Sequence, residues 1–338
     1  AGFVAGGSVN PTIGTINLGG GTTDLNTDTF TVGGDKATGL VDIVGGGTLN
    51  LTGKSGADAD LFIGNNAPAG TGTQPAVSQM DLTGGTFNAT LDQLVVGRYA
   101  GGLGGSSDGV LTFEAGTRTA NSVVICDSNG SNPDLTSGTV NQNGGSLTVA
   151  NNMTLGVGGA VGTYNLAGGT LSFDDTSSTT QAPIAPASTL FVNDGSAFTF
   201  SGGTLENVTT IDVALSNNSF TVGNDAGSEA IFVIGSNGVS DPDNAVRAIT
   251  TIREAGGGSG PIDFQLNSDG TLAIDIFGPG SHGSNGEQGG TLTIDPLSPD
   301  LDSDLLHVSG NATLDGTLAI NLNGYEPAPF HWYDVLLA

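Results

Sequence analysis

Cysteine, basic residues, aromatic rings and long apolar runs are all scarce in this chain of 338 residues, and each scarcity removes a class of protein. The single cysteine, Cys126, closes no intrachain disulfide, and no Cys/His spacing resembles a zinc site. It reads as a small core residue. Lys and Arg together number 6 against 33 acidic residues, a net charge of −27 that repels phosphate backbones and anionic membranes. Nucleic acid is therefore excluded as a partner. No apolar run reaches the roughly 18 residues that a membrane-spanning helix needs. An acidic, Lys-poor chain rich in Thr, Asn and Ser suits a secreted protein at the extracellular cell surface. Its opening "AGFVAGG" without Met fits a mature secreted product.

What the chain does have is glycine, 58 residues of it, and short apolar alternation. The glycines lack a three-residue period, which excludes collagen, and apolar residues recur at strand spacing, which excludes wholesale disorder. The stretch "GSLTVANNMTLGVGGAVGTYNLAGGTLSF" (145–173) shows the pattern: alternation, a glycine break, and a restart at "GGS" or "GGT". Successive restarts at Gly85, Gly116, Gly145 and Gly169 lie 31, 29 and 24 residues apart. Gly85 to Gly97, Gly116 to Asp127 and Gly145 to Gly156 span 12, 11 and 11. Gly109 to Gly116, Gly138 to Gly145 and Gly162 to Gly169 each span 7, so the length variation sits between these two fixed segments.

Inside the fixed segments Leu147 and Val149, Met153 and Leu155, Tyr164 and Leu166, and Leu171 and Phe173 fall two apart, which places each pair on one face of a short strand. A period of 20–50 residues is the mark of repeat architecture. These features predict an all-β, right-handed parallel β-helix with three short strands per coil and a β-rich C-terminal segment. Inward side chains would stack from coil to coil, and glycine would supply the tight corners. The phrase returns in "GGGTLNL" (45–51), "SGGTLEN" (201–207), "GGTLTI" (289–294) and twice as "DGTLAI" (269–274 and 315–320). The repeats are expected over 1–215, a less regular continuation over 216–290, and a C-terminal segment or cap over 291–338. Residues 174–190 read as an exposed Pro/Ser/Thr loop, and 243–260 as the place for one short helix.

The phrases "GGTL" and "YNLAGGTLSF" resemble the autotransporter-associated β-strand repeats of bacterial surface and secreted proteins. The closing stretch "DSDLLHVSGNATLDGTLAINLNGYEPAPFHWYDVLLA" (302–338) is similar to the end of such passenger regions. The resemblance covers about two thirds of the chain and implies a β-helix outside the cell. It does not specify an activity, because such passengers include adhesins, matrix fibres and enzymes.

Residues that could carry chemistry are few. Arg118 occupies the slot that elsewhere holds Phe87, Leu147 and Leu171. A buried ion pair or a groove base would use it, but the preferred reading is a local register shift that turns Thr117 and Thr119 inward. Gln142 stands where Phe113 and Leu166 stand in other coils, and is expected to bond neighbouring backbone. Asp174 and Asp175 are adjacent, so alternation aims them oppositely, against the paired carboxylates of a glycosidase. Asp300, Asp302 and Asp304 alternate as at the start of a calcium loop, and strand alternation would put all three on one face. They lack the Gly and Glu that complete an EF-hand, so a loose calcium site competes with a solvated strand edge. "SDPDN" (240–244) is a weaker version. His282, His307 and His331 are scattered and support no Ser/His/Asp grouping. Asn50, Asn88, Asn152 and Asn207 open glycosylation sequons that an Asn/Thr-rich repeat generates by chance.

Phe3, Phe330, Trp332 and Tyr333 are the bulky apolar groups nearest the two ends, suited either to covering the last coil or to docking on another subunit. Together these features predict a non-catalytic structural or adhesive protein, a homopolymer or a partner of other matrix components. Its copies would assemble head to tail through β-strand contacts. The competing expectation is an extracellular β-helix that binds or cleaves polysaccharide. Its variable loops 98–108, 128–137 and 157–161 would gather on one side, with Tyr99 as their one ring.

Overall fold

A computed structural model describes residues 12–34, 37–43, 45–66, 77–99, 106–128, 136–173, 188–235, 248–276, 304–322 and 335–338. Among them the chain is all-β, with every strand pairing parallel, and no α-helix occurs. The strands recur in triplets, and each member of a triplet pairs with its counterpart in the next, which gives three columns.

The first column contains β1 (Thr12–Leu18), β4 (Ala37–Ile43), β7 (Ser78–Leu82), β9 (Ser107–Phe113), β11 (Thr136–Gln142), β14 (Val161–Leu166) and β17 (Ala197–Phe200). After a break it resumes with β20 (Ser219–Val222), β23 (Asp263–Leu266) and β26 (Ala312–Leu314). The second contains β2 (Thr22–Asn26), β5 (Thr48–Thr52), the first halves of β8 (Thr86–Tyr99) and β10 (Thr117–Ser128), then β12 (Ser146–Val149) and β15 (Thr170–Phe173). It ends with β18 (Gly203–Glu206), β21 (Ala230–Val233), β24 (Gly270–Asp275) and β27 (Thr317–Asn321). The third begins with β3 (Thr29–Gly34) and β6 (Ala59–Asn66), takes the second halves of β8 and β10, and continues through β13 (Asn152–Val157) and β16 (Thr189–Val192). Its last members are β19 (Thr210–Val213), β22 (Ile249–Glu254), β25 (Leu305–Val308) and β28 (Leu336–Leu337).

Two expectations change here. Within 243–260, the place for one short helix, residues 243–247 lie outside the described residues, 249–254 form strand β22, and the helical part described is one 3-10 turn at Ala255–Gly257. The β-branched run Ile249–Thr250–Thr251–Ile252 favours extended backbone. The loop expected over 174–190 also stops early: Ser188, Thr189 and Leu190 are buried, the latter two in β16. Residues 174–187 lie outside the described residues.

Parallel pairing stacks like upon like. One second-column rank runs Leu25, Leu51, Ala89, Arg118, Leu147, Leu171, Leu205, Phe232, Leu272 and Leu318. A third-column rank runs Phe30, Leu61, Leu94, Val123, Met153, Leu190, Ile211, Ile252 and Val308. The four pairs named from periodicity, from Leu147 with Val149 to Leu171 with Phe173, are all buried. Full burial stabilises each such side chain by about 1.5–3 kcal/mol, so the interior ranks are the main source of cohesion. On the outer face polar residues stack instead: Asn88 Nδ2 donates to Asn50 Oδ1 (2.9 Å) and Asn50 Nδ2 to Asp24 Oδ1 (2.7 Å). Such ladders give the abundant Asn a structural use, including two of the sequon residues.

Candidate functional site at the ends of the ladder

The end formed by β26, β27 and β28 is where the interior comes to the surface. Leu314 continues the rank of Val222 and Leu266, Leu318 that of Phe232 and Leu272, and Ile320 follows Ile274. Their predecessors Leu266, Leu272 and Ile274 are buried, yet Leu314, Leu318 and Ile320 are 50%, 44% and 49% exposed. Parallel register sets them in core positions, and no further rung among the described residues covers them. β26, β27 and β28 are each paired along one edge only among the described residues, as are β1, β2 and β3 at the opposite end. Ile16, Leu18, Leu25 and Phe30 are only partly buried there.

Asp304, just before β25, borders this end. Its carboxylate is 1% exposed and accepts hydrogen bonds from Ala248 N at 2.9 Å and Asp275 N at 2.9 Å. Burial pushes its pKa up to about 7, the two backbone N–H groups pull the other way, and the neighbouring Asp275 charge adds to the rise. A solvated strand edge is thus not its environment: the side chain turns in and closes a corner. Asp300 and Asp302 lie outside the described residues, so the alternating triplet cannot be placed. Among the described residues no group of three His, Cys, Asp or Glu side chains could hold a metal ion. Phe3, Phe330, Trp332 and Tyr333 also lie outside, as do Asp174, Asp175, the 240–244 motif, His282 and His331. His307 is exposed on β25.

Arg118 corrects an expectation. It points inward at 2% exposure, while Thr117 and Thr119 are exposed. There is a register shift, but by two residues: Gly116 falls beside Phe87 rather than Gly85, because Arg118 pairs with Ala89. A shift of two preserves which face a side chain takes, and small Ala89 leaves room for the guanidinium. Arg118 Nη1 donates to Phe87 O and Ala115 O, Nη2 to Gly116 O and Nε to Ser146 O, at 2.9–3.0 Å. Burial lowers its pKa to about 10. No carboxylate faces it among the hydrogen-bond partners described; backbone carbonyls replace the ion pair. Gln142 behaves as expected: Nε2 donates to Thr170 O at 2.9 Å, and Oε1 accepts the hydroxyl of Tyr164. Burial raises the Tyr164 phenol strongly.

The variable loops leave from a corner built on close backbone contact. Gly33, Gly64, Gly97, Cys126 and Gly156 all have φ between 65° and 76°. Arg98 pairs with Asp127, so the residue matching Gly97 is Cys126, one before the Asp127 chosen from spacing. A Cβ on Gly138 would sit 2.2 Å from Val96 O and 2.7 Å from Cys126 N, and one on Gly109 2.3 Å from Ile63 O. The loop interiors 100–105 and 129–135 lie outside the described residues. The spacing signal thus found the corner, while the exposed terminal ranks were missed.

Comparison with known proteins returned no matching family model, no similar curated protein and no similar solved structure.

Proposed function

We propose that the chain is an extracellular, non-catalytic structural and adhesive protein of the bacterial surface, wound as a right-handed parallel β-helix, whose copies add end to end. The observation that carries this reading is the emergence of three interior ranks at Leu314, Leu318 and Ile320, beside strands that have one free edge among the described residues. A second copy presenting β1, β2 and β3 would set the partly buried Leu25, which begins the rank that Leu318 ends, over Leu318. Covering the exposed half of each of these side chains contributes about 1 kcal/mol, and each new backbone hydrogen bond about as much. The parallel pairing along all three columns and the resemblance to passenger repeats support the winding and the setting.

Sedimentation velocity and negative-stain microscopy of the full chain test it. The expected result is rods that lengthen with concentration at constant width. Leu318→Asp and Ile320→Asp are expected to leave single short rods with unchanged far-UV circular dichroism. Wild-type protein that stays monomeric at high concentration, with calcium present, refutes the assembly.

A further inference from the structure

The connections after the third column shorten abruptly at the sixth triplet. Those leaving β6, β8 and β10 carry the segments 67–76, 100–105 and 129–135, whereas the one leaving β3 spans only 35–36 and after β13 the chain passes from Val157 to Ala160 through Gly158 and Gly159 alone. Directly beyond this step lies a groove of about 690 Å³, lined by Gly158, Asn193, Asp194, Leu215, Ser216 and Glu254 among others. It crosses four consecutive rungs, those in which Leu155, Val192, Val213 and Glu254 pair in turn. At about 4.8 Å per rung its length is roughly 14 Å.

The lining has a definite chemical character. At the first of these rungs its floor is glycine backbone in the left-handed region, with no side chains to obstruct a ligand. Its walls carry planar or hydroxyl groups: the carboxylate of Asp194, which accepts the Ser216 hydroxyl; the Asn193 amide, which donates to Gly156 O; and the Glu254 carboxylate, which accepts Gly260 N. Each carboxylate has further lone pairs to offer. Between them Leu215 is 50% exposed, an apolar plate in a polar trough. No Lys or Arg lines the groove, so nothing compensates a uronate or phosphate.

We propose that this groove binds a neutral glycan chain, hydroxyl edges against Asp194, Glu254 and Ser216 and the C–H face of one ring against Leu215. The combination of acceptors, an apolar plate and an extended open floor matches a polymer of rings with hydroxyl rims. This site is separate from the ladder ends and does not depend on end-to-end assembly.

The experiment is titration of the full chain, and of Leu318→Asp, with neutral gluco- and manno-oligosaccharides, a polyuronate and a chitosan oligomer. Saturable binding of a neutral oligosaccharide by both proteins is expected, weakened about tenfold or more by Leu215→Ala and by Asp194→Asn, each the loss of one favourable contact. Asp194→Asn retains an oxygen for Ser216, so unchanged thermal unfolding would separate lost binding from lost fold. No binding of neutral chains, preference for the polyuronate or chitosan, or binding indifferent to both variants overturns the site. Glycan binding without polymerisation, or the reverse, tells its failure apart from that of the assembly.

Discussion

The guanidinium carbon of Arg118 stands 3.9 Å from the centroid of the Phe113 ring, with the Phe87 ring 5.8 Å away. A cation inside an apolar interior is held by two rings and four carbonyl oxygens. Lysine would keep the charge but cannot span those carbonyls or stack flat on the ring. Arg118→Lys is therefore expected to destabilise by about 3 kcal/mol, as for a buried charge stripped of partners. Arg118→Leu restores the type of residue found in that rank and should cost less. Urea unfolding of the two variants checks the order.

Cys126 is the one member of its corner set with a side chain, at φ 66°. Cys126→Gly removes strain of about 1 kcal/mol but also a buried sulfur that contacts Thr136 O at 3.1 Å. Stability is expected to change little, whereas Cys126→Val, β-branched in the left-handed region, should lower it clearly. Burial pushes the thiol up to about 12, so a disulfide reagent at pH 8 should react only after unfolding.

Gly138→Ala places a methyl group within 2.2 Å of Val96 O, where backbone has to move. A loss of several kcal/mol, in the range of severe single-site effects, is expected in thermal unfolding. Gly227→Ala is the contrasting case: its Cβ meets nothing within 4 Å, and only the cost of its φ of 85° remains.

Asp304 sets a pH dependence. Its folded pKa, about 7, lies above the value near 3.9 expected for the unfolded chain, so the folded state holds the extra proton between them. Its contribution is present in full below the unfolded value and is lost as pH rises through 7. The magnitude is a few kcal/mol at most. Asp304→Asn should flatten the difference in stability between pH 5 and pH 8; an undiminished difference would assign it to other groups.

Much of this architecture was readable because period-two alternation and glycine punctuation are local. Leu147, Leu155 and Leu166 could be placed inside from neighbouring residues alone. Register was not, since it depends on which strand lies beside which: Gly97 and Cys126 share a rung, and 12 residues separate Gly85 from Gly97 whereas 10 separate Gly116 from Cys126, which is the shift of two at Arg118. Cys126 was hidden for the same reason, as spacing counted from Gly116 pointed to Asp127. Asp304 looked like a surface ligand because alternation gives a face, not what covers that face. The groove has no sequence signature, because Gly158, Asp194, Leu215 and Glu254 meet only when successive triplets are stacked.

The interruption of the first column between β17 and β20 divides the molecule's backbone bonding unevenly. Across it Gly223 N still reaches Phe200 O at 2.9 Å, Asn217 Nδ2 reaches Ser196 O at 2.9 Å, and the Phe198 and Phe220 rings stack at 5.8 Å, but the regular ladder is lost. A filament of such units would carry tension through two seams at that level and three elsewhere. Within one chain the covalent backbone still bridges that level, so it is a place for the ladder to open rather than to part.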